Sequence, residues 1–457
     1  MVGFSAMAYG PKSLTISCDA EHLTRYGGLH YFAQFLKRLG IRDLLGKRVK
    51  IVQRNNRYSV PETILSLLYP IVLGLERIET AEILRRNGVF HYLTGLRSYP
   101  HPTALRRFLK RTAPHLTSQL VRFHDQLRTV MLGRPHPRTS IVIDLDSTVC
   151  TLYGNQEGAM KGYNPHKRGR KSYHPLLAVT AGLGDTLDGV LRPGNVSSAH
   201  GTRELLERIF EKLPEAVRTI RLRADKGFYD GKIIKYLNEN RVGFVIAAKV
   251  TNPLRYSWYG KKFRAFAPGF AVTEFDYQPH QWHQPYRFVV IRREIPEEDT
   301  EQLKLFKLGK FFYAAFVTNL EMKPENVWRF YRDRAALELL IKELKYSYPL
   351  AKIPTHDFQA NEAYFHLLLL TYDLVNWYQR LCLPEEYQRM TLERLRAKLF
   401  SIPAELVHRG NRPALKFPAH RAYEHLFAEI ERGVRKLKPV RFDARRRQSR
   451  SPRHPTS

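Results

Sequence analysis

One face of a predicted helix carries a phenol, an acid and two cations, which can form ion pairs beside the buried face of the helix. The helix is predicted over residues 324–346, because proline favours the first turn of a helix and Pro349 follows its end. At 3.6 residues per turn, one narrow polar stripe contains Tyr331, Arg334, Glu338 and Lys345, beside an apolar stripe of Leu337, Leu340, Ile341 and Leu344. A salt-bridged helix is the simplest interpretation of an acid flanked by two cations and a phenol.

Two predicted strands carry further acidic residues of interest. Alternating apolar residues predict a strand over residues 141–146, which places Asp144 and Asp146 on the same face. A second predicted strand, over residues 219–224, ends directly before Asp225. Asp144, Asp146 and Asp225 are therefore candidate catalytic residues, and the alternation alone does not favour Asp144 or Asp146.

The chain is predicted to begin with a helical domain, which we place at residues 1–136. Residues 80–86 and 103–111 predict two short helices joined by a turn containing Pro100 and Pro102, with Thr103 as the N-cap of the second. That second helix carries Arg106, Arg107 and Lys110. A DNA-reading helix-turn-helix has this pattern, and so does a helical hairpin with a solvated basic face, so both interpretations stay open.

A Pro-His-Pro linker within residues 134–138 precedes a segment of mixed elements. Over residues 137–249 the predicted order is three strands, a helix, a strand, a helix and a strand, which suits an α/β fold with a mixed sheet. Residues 250–310 are aromatic and predict an inserted β subdomain, and residues 311–382 predict a strand and helices. Residues 383–457 predict C-terminal helices and, from Arg432, a basic disordered tail.

The net charge of the chain is strongly positive, since 75 Lys and Arg residues against 43 Asp and Glu residues give +32. This excess indicates a polyanionic partner, and DNA contact is favoured over a merely solvated turn for the loop cations Lys167, Arg168, Arg170 and Lys171. The three cysteines are too far apart for a CxxC pair or a disulfide framework. The longest apolar run has about a dozen residues where a membrane helix needs about 20, so we expect a cytoplasmic protein without a membrane partner.

Three motifs resemble those of DDE transposases and argue against a merely salt-bridged helix. The spacing of Tyr331, Arg334, Glu338 and Lys345 matches the YREK signature of that family. The segment Ile143-Asp144-Leu145-Asp146-Ser147-Thr148 resembles the strand of the first catalytic aspartate, and Arg223-Ala224-Asp225-Lys226-Gly227-Phe228 resembles the motif of the second. Residues 161–165, 173–177 and 191–195 look like the bacterial insertion-sequence branch related to the piggyBac elements. The resemblance spans residues 141–345.

The resemblance implies an RNase H-like catalytic core interrupted by the β subdomain. Asp146, Asp225 and Glu338 would hold two Mg²⁺ ions, for which Mn²⁺ can substitute, and the ions would support an in-line phosphoryl displacement on DNA. Asp146 is favoured over Asp144 because two small hydroxyl residues follow it, although Asp144 is a possible ligand or a support of the ligands. A phosphate-binding role at the cleaved DNA end is implied for Tyr331, Arg334 and Lys345.

The function that the resemblance implies is that of an insertion-sequence transposase. Such an enzyme binds terminal inverted repeats in double-stranded DNA, cleaves the element ends and joins the freed 3′-hydroxyl to target DNA. We expect a homodimer, because two ends must be held together, and an association with the nucleoid. Two other functions share these residues: a non-catalytic DNA-binding protein that keeps the fold, and a structure-specific nuclease without strand transfer.

Overall fold

Capped helices build the first part of the chain. The computed structural model describes residues 16–53, 57–165, 167–294 and 311–442. This part contains the short strand β1 (Leu23–Thr24) and the helices α1 (Leu29–Leu39), α2 (Ile41–Arg48), α3 (Val60–Leu73), α4 (Glu82–Arg85), α5 (Gly88–Thr94) and α6 (Pro102–Leu132). A capping box between Ser59 and Glu62 begins α3, and Gly74, with a φ of 77°, ends it.

The last of these helices, α6, is longer than the sequence predicted. Two short helices joined by one turn were expected, but α5 lies between the two segments and α6 runs for 31 residues. The N-cap residue is His101 and not Thr103, whose backbone N–H donates to the His101 ring. Buried apolar residues continue along α6 as far as Leu132, and their packing sustains the helix beyond residue 111. The predicted pair of short helices is therefore wrong.

The middle of the chain alternates between strands and helices. Its strands are β2 (Ser140–Ser147), β3 (Cys150–Thr151), β4 (Met160–Lys161), β5 (Lys171–Tyr173), β6 (Leu176–Thr180), β7 (Thr186–Val190), β8 (Thr219–Ala224), β9 (Gly243–Ala247), β10 (Arg264–Ala267), β11 (Phe270–Tyr277), β12 (Tyr286–Glu294) and β13 (Phe311–Thr318). Its helices are α7 (Thr202–Lys212), α8 (Gly231–Glu239) and α9 (Asn252–Trp258). The predicted order of strands and helices between residues 137 and 249 is thus confirmed for its long elements.

These strands form a large mixed sheet and a small one. The large sheet has nine strands in the order β10-β11-β12-β13-β9-β8-β2-β6-β7, and β3-β5-β4 form the small sheet. β2 pairs with β8 and β8 with β9 in parallel, whereas the other pairs of the large sheet are antiparallel. The predicted α/β class with a mixed sheet is confirmed.

Apolar residues cover both faces of the large sheet. Along β6, Leu176 and Ala178 pack in one cluster with α7 and α8, while Leu177 and Val179 pack in another. This alternation places helices against both faces, because successive side chains of a strand point in opposite directions. The strand ends that carry Asp146 and Asp225 are therefore held in a rigid, covered sheet.

The β-rich segment that was predicted as an insertion supplies strands of the large sheet. β12 pairs with β13 along its length, and β13 pairs with β9, so β10, β11 and β12 extend the same sheet. Val289 and Ile291 face one apolar cluster, and Phe288 and Val290 face another. Both faces of β12 are therefore buried, and this burial stabilises the extension of the sheet. Residues 295–310 of the predicted segment lie outside the described residues.

Two helices replace the single long helix that was predicted over residues 324–346. They are α10 (Pro324–Arg332) and α11 (Ala335–Tyr346). At the junction, the N–H groups of Arg334 and Leu337 bond to carbonyls three residues back instead of four, which tightens the turn. Leu337, Leu340, Ile341 and Leu344 are buried, so the predicted apolar stripe of α11 is confirmed.

The last described part adds helices, which the sequence predicted, and a small sheet, which the sequence analysis missed. Its elements are α12 (Phe358–Cys382), α13 (Glu385–Gln388), α14 (Leu392–Leu395), β14 (Ala404–Arg409), β15 (Arg412–Lys416) and α15 (Arg421–Lys436), and β14 joins β1 to β15. Disorder was predicted from Arg432, but α15 continues to Lys436, and Leu437 and Val440 are buried against the core. Residues 443–457 lie outside the described residues. No helix of the described part is both long and apolar enough to span a membrane.

Candidate active site

Asp146 and Asp225 lie side by side at one edge of the large sheet. In the parallel pair of β2 and β8, Leu145 is opposite Ala224, and each aspartate is the next residue of its segment. Neighbouring strands are about 4.8 Å apart, so the two side chains reach the same region. The Asp146 carboxylate accepts a hydrogen bond from the Ser147 N–H at 2.7 Å, and that of Asp225 accepts one from the Gly227 N–H at 2.9 Å.

Asp144, two residues before Asp146 on β2, forms an ion pair with Arg223 on the neighbouring strand β8. It is opposite Arg223 in the register of β2 and β8, and both side chains are buried. The guanidinium donates to both Asp144 oxygens, at 2.6 and 2.7 Å, and to the carbonyl of Phe330 in α10 at 2.6 Å. Asp144 therefore orients Arg223, and Arg223 in turn binds α10 to the sheet.

Arg334 links the junction of α10 and α11 to the same edge. Its side chain is 5% exposed, donates to the Leu145 carbonyl at 3.1 Å and lies 3.0 Å from the Asp146 carboxylate. It also lies 3.6 Å from the Glu338 carboxylate. A buried arginine requires such partners, because an unpaired charge in the interior is costly. In this arrangement Arg334 positions Asp146, and the phosphate contact implied for it stays a prediction.

Negative charge accumulates around Asp146. Burial raises the pKa of Asp146 to about 6; Arg334 opposes this rise in pKa, and the charges of Asp225 and Glu338 add to it. Asp225 and Glu338 are thus both within electrostatic range of Asp146, although the Glu338 side chain is 69% exposed. An added cation would relieve this accumulation of charge.

The other two residues of the polar stripe have different surroundings. The Tyr331 ring packs against Phe316 of β13, with the ring centroids 4.6 Å apart, and burial raises the pKa of its hydroxyl. Lys345 is partly buried near the end of α11. Burial lowers the pKa of His174, and the charges of Asp225 and Lys345 also act on it. Tyr331 and Lys345 are therefore both near the edge of the sheet where the acids lie.

Asp146, Asp225 and Glu338 have side chains of the type that binds a divalent cation, but the three are not close enough together to hold one. Carboxylate oxygens are the ligands that Mg²⁺ prefers, and a burial-raised pKa at Asp146 indicates a site that favours added positive charge. Within the described ranges, however, no group of three or more His, Cys, Asp or Glu side chains is close enough to hold a metal ion. The two aspartates fit a metal site, and Glu338 is paired with Arg334 instead of completing it.

Comparison with protein families assigns the chain. The model of the family described as Transposase DDE domain group 1 matches residues 7–439. The chain belongs to this transposase family. Among solved structures, one match is a cryo-EM structure of the piggyBac transposase synaptic complex with hairpin DNA, at 11% identity and a TM-score of 0.39, covering 92% of this chain and 88% of that chain. No curated protein matched the chain.

The cations predicted to contact DNA in this DDE transposase divide into two kinds. Arg106 is occupied internally, because it pairs with Glu79 and donates to the Pro354 carbonyl at 3.2 Å. Arg107 and Lys110, on the same helix, are exposed. The loop cations are also exposed, except that Lys171 is partly buried at the start of β5; they are Lys167, Arg168, Arg170 and Lys171.

Arg223 is a residue of the candidate site that the sequence analysis missed. It precedes Asp225 by two residues, as Asp144 precedes Asp146, and the parallel register turns this equal spacing into the Asp144–Arg223 pair. The equal spacing is present in the sequence, but it predicts the Asp144–Arg223 pair only once β2 and β8 are known to be parallel neighbours.

Arg192 is a second residue that was missed. It is 4% exposed and donates to the carbonyls of His174, Ser198 and His200. Ser198 in turn lies with its hydroxyl oxygen 2.7 Å from that of Ser147, directly after Asp146. Arg192 thus fixes the loop that borders the transposase's candidate acids, and no sequence spacing indicated this contact.

Proposed function

We propose that this member of the transposase family is the DNA transposase of an insertion sequence. It would bind terminal inverted repeats in double-stranded DNA, cleave the element ends and join the freed 3′-hydroxyl to target DNA, in cut-and-paste transposition. The family membership supports a transposase, and the YREK spacing together with residues 161–165, 173–177 and 191–195 supports the bacterial insertion-sequence branch. We include an RNase H-like core, with a helical end-binding part before it, in this proposal.

One observation carries the proposal more than any other. Asp146 and Asp225 lie at the carboxyl ends of adjacent parallel strands, and Arg334 ties Glu338 to the same edge. These acids are far apart in sequence, and the parallel register brings two of them to neighbouring strand ends. A charged, partly buried acidic site on a strongly basic chain suits chemistry on a polyanion.

The cofactor we propose is a pair of Mg²⁺ ions, for which Mn²⁺ can substitute. Bound divalent ions would supply Lewis-acid polarisation of the scissile phosphate and neutralise charge on the leaving oxygen. Asp146 and Asp225 would hold the ions and Glu338 would complete the ligands. Arg334 would keep Asp146 in place through its contacts to the Leu145 carbonyl and the carboxylate itself. Asp144 would act behind this set through Arg223.

The partners we propose follow from charge and from the geometry of the task. Exposed Arg107, Lys110, Lys167, Arg168 and Arg170 would contact DNA phosphates, with Tyr331 and Lys345 nearest the cleaved end. A homodimer would hold two element ends at once. The site of action would be the nucleoid of the cytoplasm, where the DNA substrate lies.

Substitution of the acids tests this proposal directly. The substrate is duplex DNA that carries the inverted repeats flanking the coding region, with MgCl₂ as the metal. Asp225→Asn and Glu338→Gln should each reduce end cleavage by at least about 1,000-fold, because several kcal/mol of charge stabilisation are lost. DNA affinity should stay within about twofold, because the basic contacts remain. Cleavage is measured on denaturing gels and affinity by fluorescence anisotropy.

Asp276→Asn is the matched control, since Asp276 is an exposed aspartate of β11. It should cleave like the wild type. Normal nicking by Asp225→Asn would overturn the assignment of the site. Binding of the ends without cleavage by the wild type would indicate a non-catalytic DNA-binding protein. Cleavage without any joined product would indicate a nuclease.

A further inference from the structure

The small sheet of β3, β4 and β5 carries two tyrosines to which the proposed reaction gives no role. Tyr153 lies shortly after β3 and is 72% exposed, and Tyr163 lies shortly after β4 and is 76% exposed. A single exposed aromatic residue needs no explanation. These two share a small surface, however, because Asn164, next to Tyr163, donates to the Thr151 hydroxyl at 2.9 Å, two residues before Tyr153.

Exposed cations accompany both tyrosines along the chain. We call Tyr153, Tyr163, Lys161, Lys167, Arg168 and Arg170 the tyrosine patch, and all six side chains are exposed. The Arg170 guanidinium lies 5.9 Å from the centroid of the Tyr153 ring. The sequence contains no Asp or Glu between Gly158 and Gly184. The tyrosine patch is therefore positively charged, and the nearest acid in the sequence, Glu157, accepts a hydrogen bond from the Phe358 N–H at 3.1 Å.

The backbone below the patch is firmly held. Asn164 is 4% exposed and also accepts a hydrogen bond from the Lys167 N–H at 3.0 Å. Gly162 packs so closely on the backbone of Gly194 that a Cβ there would lie 1.9 Å from the Gly194 carbonyl oxygen. The Tyr173 hydroxyl donates to the Glu157 carbonyl at 2.5 Å. The two exposed rings are thus presented by a fixed scaffold, which lowers the entropy cost of binding.

The tyrosine patch adjoins the candidate active site. β3 begins three residues after Ser147, and the Thr148 N–H donates to the Pro175 carbonyl at 2.9 Å, which ties the small sheet to the end of β2. β5 leads within two residues into β6, whose Leu177 is opposite Asp146. A strand of DNA with one phosphate at Asp146 would therefore pass close to the patch.

We propose that the tyrosine patch binds unpaired DNA bases beside the cleaved phosphate, by stacking them on Tyr153 and Tyr163. This inference rests on the proposed function, because it takes DNA as the substrate. Exposed aromatic rings interleaved with cations are the arrangement that binds single strands, in which the rings stack on bases and the cations follow the phosphates. Paired bases are already stacked within a duplex and offer no face to a phenol ring. The surplus of positive charge disfavours a protein partner of ordinary surface charge.

Stacking can be measured without any cleavage. The probe is a duplex element end with a five-nucleotide single-stranded extension that contains 2-aminopurine, whose fluorescence falls when the base stacks. The full-length protein is used in EDTA, so that no reaction occurs. Wild type should quench the probe, and Tyr153→Ala and Tyr163→Ala should each bind the extended probe roughly tenfold more weakly, with quenching lost.

Three variants serve as controls. Tyr153→Phe and Tyr163→Phe keep an aromatic ring and should retain affinity and quenching. Tyr92→Ala removes a 55% exposed tyrosine from α5 and should have no effect on quenching. Affinity for the blunt duplex should change by less than about twofold in both patch alanine variants, because the cations remain.

Two results would overturn the inference. In the first, both alanine variants quench the probe as the wild type does. In the second, the phenylalanine variants lose as much affinity as the alanine variants, which would assign the effect to the hydroxyl and not to the ring. Neither result depends on catalysis, so failure of this inference is distinct from failure of the proposed function, which would appear as a wild type that never cleaves DNA.

Discussion

Two buried aspartate–arginine pairs in this molecule look alike and differ in what surrounds them. Asp146 and Arg334 lie 3.0 Å apart at the sheet edge, and Asp373 and Arg128 lie 3.3 Å apart between α12 and α6. Both arginines are almost fully buried, at 5% and 6% exposure. The ion pair alone therefore does not distinguish a catalytic from a structural role.

The surroundings of Asp373 are closed. One carboxylate oxygen accepts from the Thr186 N–H at 2.9 Å, and the other accepts from the Thr186 hydroxyl at 2.7 Å and from Arg128. His124 Nε2 lies 2.8 Å from the second oxygen. The Asp373 side chain is 0% exposed, so every contact is internal. Such a network joins α6, α12 and β7 and occupies both oxygens of a carboxylate that no outside ligand can reach.

The surroundings of Asp146 are open. Its side chain is 16% exposed, and beside the Ser147 N–H and Arg334 its neighbours at the sheet edge are the acids Asp225 and Glu338. Like charges brought together raise the free energy of the folded state, which proteins accept mainly at functional sites. The contrast teaches that a cluster of acids open to solvent, and not a buried ion pair, indicates a catalytic site here.

Replacing Asp373 or Asp146 by asparagine should give the largest difference in stability between the closed and the open site. Asp373→Asn should lower the free energy of unfolding by about 3–5 kcal/mol, because the fully buried carboxylate that Thr186 and Arg128 share would be lost, and Arg128 would keep only Asp125 as a charged partner, at 3.1 Å. Asp146→Asn should lower it less, because Arg334 keeps the Leu145 carbonyl and Glu338, and its main effect should be lost DNA cleavage. Urea unfolding measures both stabilities. Equal losses of stability in the two variants would contradict the distinction.

Acid should weaken the closed region through its buried histidines. Burial lowers the pKa of His366 to about 3, with Asp188 opposing this change. The folded pKa lies below the unfolded one, so stability is complete above about pH 6.5 and is lost as the pH falls through that value. Between pH 7 and pH 4, the wild type should lose about 3 kcal/mol more than His366→Phe. Parallel stability–pH curves for the two proteins would exclude this contribution.

The smallest test extends the comparison from acids to cations. Lys110→Ala should reduce the slope of log affinity against log salt for duplex DNA by about 1, because an exposed phosphate contact is lost. Arg106→Ala should leave that slope unchanged, because Arg106 is already paired with Glu79. Anisotropy titrations between low and moderate KCl measure both slopes. A larger change for Arg106 than for Lys110 would reverse the assignment of these two residues.

Sequence reasoning worked best where a local pattern decides the structure. The alternation around Asp146, the strand before Asp225 and the apolar stripe of α11 were all predicted, and the structure contains each of them. It was less successful where long-range packing decides, as in the length of α6 and the end of α15. The missed strands β14 and β15 are short and partly exposed, which leaves little periodic signal.

The candidate site divides in the same way. Its acids, its excess of positive charge and the family resemblance were all readable from the amino-acid sequence, because they depend on residue types and spacings within single segments. Only the tertiary structure decided that Asp144 is held by Arg223, that Arg334 joins Asp146 to Glu338, and that Arg106 pairs with Glu79. These contacts depend on strand register and on which helix packs against which strand, and both are set by interactions between distant parts of the chain.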